Sequence, residues 1–296
     1  MNRSLLLLSL IIATIAVSWA AIFIRLAEAN PIAIAFYRMG LAAVILFPFG
    51  IRGLWPSLGK LSVPERMSLL ASGLFLGFHF AAWISSLSYT SISNSVILVS
   101  TQPFFVAAAE AIIWKAKIER RTVWGMVMAF AGMTIISSSG FSLGSERILG
   151  DFLALIGAVC AGGYLLLGRR IRQSLDNRHY ILSVYSLAAM TLFVIALVTR
   201  SPLTGFTWPT WGYFLLLALI PTIVGHSLYN YLLRYIRAHL VGITILGEPI
   251  GASVFAVLIF AEYPSPATYA GGIMILSGIA LALLRLKSDE GESKSA

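Results

Sequence analysis

Apolar residues along this chain fall in long unbroken runs, with neither the alternation of a half-buried strand nor the stripe of a surface helix. Ten such runs lie near 5–24, 31–50, 67–88, 93–114, 122–139, 148–168, 180–199, 210–233, 239–260 and 266–285. Each is long enough to cross a hydrocarbon layer of about 30 Å as a helix. In lipid a lone segment satisfies its own backbone only as a helix. Asn30-Pro31, Trp55-Pro56, Val63-Pro64, Ser201-Pro202, Trp208-Pro209 and Pro264-Ser265-Pro266 punctuate the runs. The pattern predicts an all-α integral membrane protein with ten transmembrane helices. The run after Met1-Asn2-Arg3 is about twice the length of a signal-peptide core and reads as the first span.

Composition agrees: 58% of the 296 residues are apolar and 11% charged, with a mean hydropathy of +0.88. So few charges could not cover a soluble domain of this size. The net charge of +9 raises the question of nucleic acid, which the distribution of the basic residues answers. With the N-terminus cytoplasmic, all but four of the 21 lysines and arginines fall on cytoplasmic segments. Arg25, Arg147 and Arg200 fall outside, and Arg38 lies within a span. This asymmetry places both termini in the cytoplasm and accounts for the basic balance as topology, with no nucleic-acid partner. The single cysteine, Cys160, excludes an internal disulfide and a cysteine-rich metal site. Residues 287–296 are charged and small and read as a disordered cytoplasmic tail.

Two polar interruptions organise the rest. Gly247-Glu248-Pro249 sets a carboxylate beside a proline in the ninth run, and Thr101-Gln102-Pro103 stands 146 residues earlier in the fourth. A charge at that depth costs several kcal/mol unless paired or facing water, so it marks a functional site by default. At the same offset Gly125 overlies Gly271 and Gly132 overlies Gly278; shifted by one, His79 overlies His226 and Trp83 overlies Asn230. This reads as two five-span copies, residues 1–139 and 140–286. Five is odd, so the second copy is inverted, and an inverted repeat expects its substrate site near the midplane between the copies. Helical rise puts Gln102 and Glu248 each roughly 14 Å into the membrane, from opposite sides.

These residues carry a resemblance. Gly247-Glu248-Pro249 with Ala261-Glu262 and Gly271-Gly272-Ile273-Met274-Ile275-Leu276-Ser277-Gly278, and in the first copy Gln102-Pro103, Gly125, Gly132 and Phe36-Tyr37-Arg38, resemble the drug/metabolite transporter superfamily. The likeness is to its ten-span branch of two EamA-type repeats, over about residues 5 to 286. Within that branch the chain is most similar to the YddG-type exporters of aromatic amino acids. The resemblance implies metabolite export across the bacterial inner membrane. One departure is Ala116 between Lys115 and Lys117, where family copies often hold an acid.

Candidates for the transport path follow from depth and chemistry. Glu248 is either a transport carboxylate or a structural one bonded to neighbouring backbone. Pro103 and Pro249 remove backbone donors and bend their helices. His79 shares a helix face with Trp83, as His226 does with Tyr229 and Asn230; an imidazole could hold a carboxylate or a proton. Trp19, Tyr37, Tyr164 and Tyr185 lie deep enough to stack on a solute, whereas Trp55, Trp114, Trp208 and Trp211 fit an interface belt. Arg38 either snorkels outward or faces the path.

The expected function is alternating-access export of small metabolites, amino acids first and aromatic ones preferred. Proton coupling and passive exchange both fit the sequence. No catalytic constellation, metal-ligand spacing or phosphate-binding loop is present, so neither an enzyme nor a cofactor is expected. One cation within the spans argues against a phosphate-ester carrier, and the lack of an acid in 5–24 against a small multidrug extruder. A channel or lipid-handling protein remains the alternative class.

Overall fold

The computed structural model describes residues 3–90, 95, 98–137, 145–261 and 266–283. Glu262 and the charged tail 287–296 lie outside the described residues. Every regular element among those described is helical.

The helices are α1 (Arg3–Ser18), α2 (Ala20–Ala27), α3 (Pro31–Gly50), α4 (Leu54–Gly59), α5 (Val63–Ser86), α6 (Gln102–Ile113), α7 (Arg120–Ser137), α8 (Ser145–Ile171), α9 (Asn177–Val198), α10 (Trp208–Leu217), α11 (Ser227–Leu232), α12 (Ala238–Ile245), α13 (Glu248–Phe260) and α14 (Pro266–Leu283). A π-helical segment, Ala218–His226, joins α10 to α11. Starts follow local chemistry. Asn30 accepts the Ile32 N–H at 2.9 Å ahead of Pro31, and Ser62 and Glu65 close a capping box around Pro64.

Seven stretches are long and apolar enough to cross a membrane: Ser4–Ala27, Pro31–Gly50, Val63–Ser86, Ile148–Ile171, Asn177–Val198, Trp208–Leu232 and Ala238–Ile259. Gln102–Ile113 and Tyr269–Leu283 are shorter apolar helices. Large apolar side chains such as Ile11, Phe49, Ile112, Val198 and Leu258 cover the outside, while Arg38, His79, Gln102, Glu110 and Asn230 are inside. That arrangement suits a lipid surround.

Spans expected to be continuous are broken at three places. The first turns at Trp19, between α1 and α2, where the Ser18 hydroxyl bonds back to the Thr14 carbonyl at 2.8 Å. The ninth breaks at Leu246-Gly247, where the Leu246 and Gly247 N–H groups reach back only three residues, to Ile243 and Thr244. Pro249, one residue into α13, supplies no N–H to bridge this join. Near Pro103 the Thr101 N–H likewise reaches back three residues, to Leu98, before α6 begins at Gln102. The sequence predicts bends at both prolines; the structure has breaks, each followed at once by the polar residue.

In packing, α5 lies on α8 and α9, α3 on α9, α6 on α8 and α12, and α7 along α14. The α7–α14 pair is antiparallel and almost without side chains between its backbones. A Cβ on Gly125 would stand 2.6 Å from the Gly278 carbonyl oxygen, and one on Gly132 2.5 Å from that of Gly271. Between α6 and α12, Glu110 is buried at 4% exposure and accepts from the Ala238 N–H at 3.1 Å and from His239 Nδ1.

Candidate functional site

Lys and Arg rarely sit fully buried without a partner, and Arg38 is 1% exposed in the middle of the helices. Its position follows from a defect in the span opposite. Pro221 cannot donate to the Leu217 carbonyl, so the chain widens into the π segment. In the π segment the Leu217 carbonyl is reached instead from Thr222, whose hydroxyl donates to it at 2.8 Å. The same oxygen accepts from Arg38 Nε at 2.8 Å. The guanidinium lies over the Phe80 ring, 4.3 Å from its centroid. Arg38 therefore faces inward and does not snorkel.

Arg38 lines a central cavity with His79, Trp83, Gln102, Tyr164, His226 and Glu248. The cavity admits the centres of water-sized spheres over about 50 Å³, several times the space one water needs. Gln102 and Glu248 are the first residues of α6 and α13, so both chain breaks deliver their polar residue to the same space. Glu248 is half-buried, and its carboxylate makes no hydrogen bond or ion pair among the described residues. Arg38 and Glu248 thus share a cavity without pairing to each other.

The histidines differ. His79 Nδ1 lies 2.9 Å from the Gly157 carbonyl oxygen. A carbonyl can only accept, so this nitrogen carries the proton and Nε2 is the acceptor in the neutral ring. The ring is stacked parallel to Trp83 at 5.8 Å. His226 makes an edge contact with Phe80 at 5.6 Å and no hydrogen bond among the described residues.

Four candidates, Trp19, Tyr37, Tyr185 and Asn230, lie elsewhere. Asn230 and Tyr185 are fully buried behind the wall. Tyr164 donates to Asn230 Oδ1 at 2.5 Å, and Asn230 Nδ2 donates to the Tyr185 hydroxyl at 3.4 Å. Tyr185 in turn donates to the Thr222 carbonyl at 3.3 Å. A buried polar network of this kind fixes rotamers. It links Tyr164 to the π segment, and hydrogen-bond satisfaction explains why these polar groups turn away from the cavity. Trp19 stacks on Phe23 and Phe255, bracing the first break against α13. Pro103 packs beside Gly242 of α12. Trp55 and Trp208 are exposed, as a belt requires, whereas Trp211 meets Tyr37 at 4.7 Å inside an aromatic cluster.

Sequence reasoning passed over Thr222, Ser100 and Ala161, and left Tyr229 as a neighbour of His226; Ser100, Ala161 and Tyr229 line the cavity. The available signal for Thr222 was Pro221 within an apolar span. Glu110 met the same criterion as Glu248, a carboxylate in an apolar run, and its partner His239 is visible only in three dimensions.

The model of the EamA-like transporter family matches twice, over residues 3–138 and 148–284. The chain belongs to the EamA-like transporter family. This EamA-like protein is 31% identical over 291 residues to an uncharacterized transporter of Archaeoglobus fulgidus, covering 95% of this chain and 97% of that one. It is 27% identical to the uncharacterized transporter YyaM of Bacillus subtilis, over 71% and 70% of the two chains. It is 25% identical to the pseudopaline exporter CntI of Pseudomonas aeruginosa, over 86% of each. A solved crystal structure shares the fold, with a TM-score of 0.75 over 96% of this chain and 98% of that chain at 19% identity. Family and apolar helices together make this a multi-pass membrane transporter.

Proposed function

We propose that this EamA-like transporter is an alternating-access exporter of small metabolites, amino acids first and aromatic ones preferred, in a bacterial plasma membrane. We read its architecture as ten transmembrane helices in two inverted five-helix repeats, residues 1–139 and 140–286, with both termini cytoplasmic. The observation that carries the reading is the meeting of Gln102 and Glu248, each opening a helix after a break, in one central cavity. Broken helices that deliver polar groups to the midplane are the usual construction of a secondary-transporter site.

The packing supports the repeat. If residue n corresponds to n+146, the Gly125–Gly278 contact should have a counterpart between Gly271 and Gly132, and it does. The same exchange turns the contact of α5 with α8 into one between the π segment and α1, which is also present. Trp83 stacked on His79, with Tyr164 nearby on the wall, supports an aromatic solute.

The test is a solute panel in proteoliposomes. Saturable movement of phenylalanine, tryptophan or threonine is the expected result; movement of another class alone overturns the substrate reading. The relative named a pseudopaline exporter favours a second reading, export of other small metabolites, so the panel includes pseudopaline.

A further inference from the structure

Two donors in the cavity wall are buried and have no acceptor: Arg38 Nη1 and Trp83 Nε1. Both side chains are more than nine-tenths buried, at 1% and 6% exposure, and both line the central cavity. Neither is loosely placed. Arg38 is held through Nε by Thr222 and from its face by Phe80, while Trp83 is held by its stack on His79. Fixing these groups while leaving their donors unmet costs free energy in the empty protein. A ligand that accepts at both recovers it.

The geometry points to a carboxylate subsite formed by the free Nη1 edge of Arg38 and the indole N–H of Trp83. This rests on, and deepens, the reading of the cavity as an amino-acid site. Charge selects the class. Among the described residues Arg38 is the one lysine or arginine on the cavity wall, and Glu248 shares the space. A single cation beside a carboxylate suits a singly charged carboxylate and disfavours a phosphate dianion. A guanidinium edge with a neutral N–H donor suits the two oxygens of a carboxylate. Glu248, which forms no ion pair among the described residues, is left for the ammonium group of the same ligand. Water could meet the hydrogen bonds but would neutralise neither charge.

The experiment reads ligand-induced rises in melting temperature for the full-length protein in detergent. The probes are phenylalanine, phenylalaninamide and 3-phenylpropionate, with wild type, Trp83→Phe and Thr222→Val. Phenylalaninamide, which keeps the ring and amine and loses the carboxylate, is expected to bind roughly tenfold or more weakly than phenylalanine. Trp83→Phe retains a stacking ring without the donor. It should weaken phenylalanine several-fold and the amide, whose carbonyl is a neutral acceptor, distinctly less; Thr222→Val, which frees Arg38, should show the same selectivity should Trp83→Phe not fold. Equal binding of acid and amide, or equal weakening of both by the variant that folds, overturns the subsite and leaves the amino-acid reading standing. Binding of 3-phenylpropionate but not phenylalanine, with the same dependence on Trp83 or Thr222, upholds the subsite and overturns the amino-acid reading. No binding by either carboxylate overturns the subsite.

Discussion

Thr222 shows how much one hydroxyl can organise. It donates to the Leu217 carbonyl, which Pro221 cannot reach, and anchors Arg38 Nε with the same oxygen. A buried hydrogen bond to a charged group contributes about 1.5–3 kcal/mol. Thr222→Val should therefore raise the KM for substrate about tenfold or more while the protein still folds, as measured by initial transport rates. Among the described residues Glu248 is the one aspartate or glutamate on the cavity wall. Glu248→Gln preserves its shape and removes its charge, so transport driven by an imposed proton gradient should fall to the gradient-free rate; full retention of the driven component would remove Glu248 from proton coupling. Residue chemistry was partly legible from sequence. Depth and polarity picked out Arg38, His79, Gln102 and Glu248, all on the cavity wall. The same criteria also picked Tyr185 and Asn230, because depth in a span does not say which way a side chain faces.

The helices carry the site through their interruptions. Pro103 and Pro249 marked in the sequence where their spans depart from a straight helix, as bends, because a missing N–H is visible there. The π segment at Pro221 was not foreseen, since a proline in an apolar run can be absorbed as a kink or as a wider turn, and packing decides which. Pro249→Ala should let α12 run on into α13 and stiffen the join. The expected result is a lower kcat for transport with a melting temperature equal to or above wild type. Glu110 ties α6 to the first turn of α12 through Ala238 and His239. Glu110→Ala leaves those donors buried and unmet, and should destabilise the protein by about 3 kcal/mol or more, seen as a lower melting temperature in detergent.

For the whole molecule, the all-helical membrane class was readable from apolar runs because the bilayer sets helix length, and seven of the runs stand among the described residues as helices long enough to span. The shared cavity was not, because it depends on the packing of helices distant in sequence. Close approach of α7 and α14 is a further consequence of fold. Gly278→Val places side-chain atoms against Gly125 and Ala129, so it should lower folded yield sharply, measured by size-exclusion chromatography. The central claim is that solute is bound at the cavity between the two halves and carried in alternation. Counterflow of labelled phenylalanine in proteoliposomes tests it most directly. The account predicts saturable uptake against a loaded gradient that Glu248→Ala abolishes; uptake that rises linearly with concentration, or is indifferent to that substitution, would contradict it.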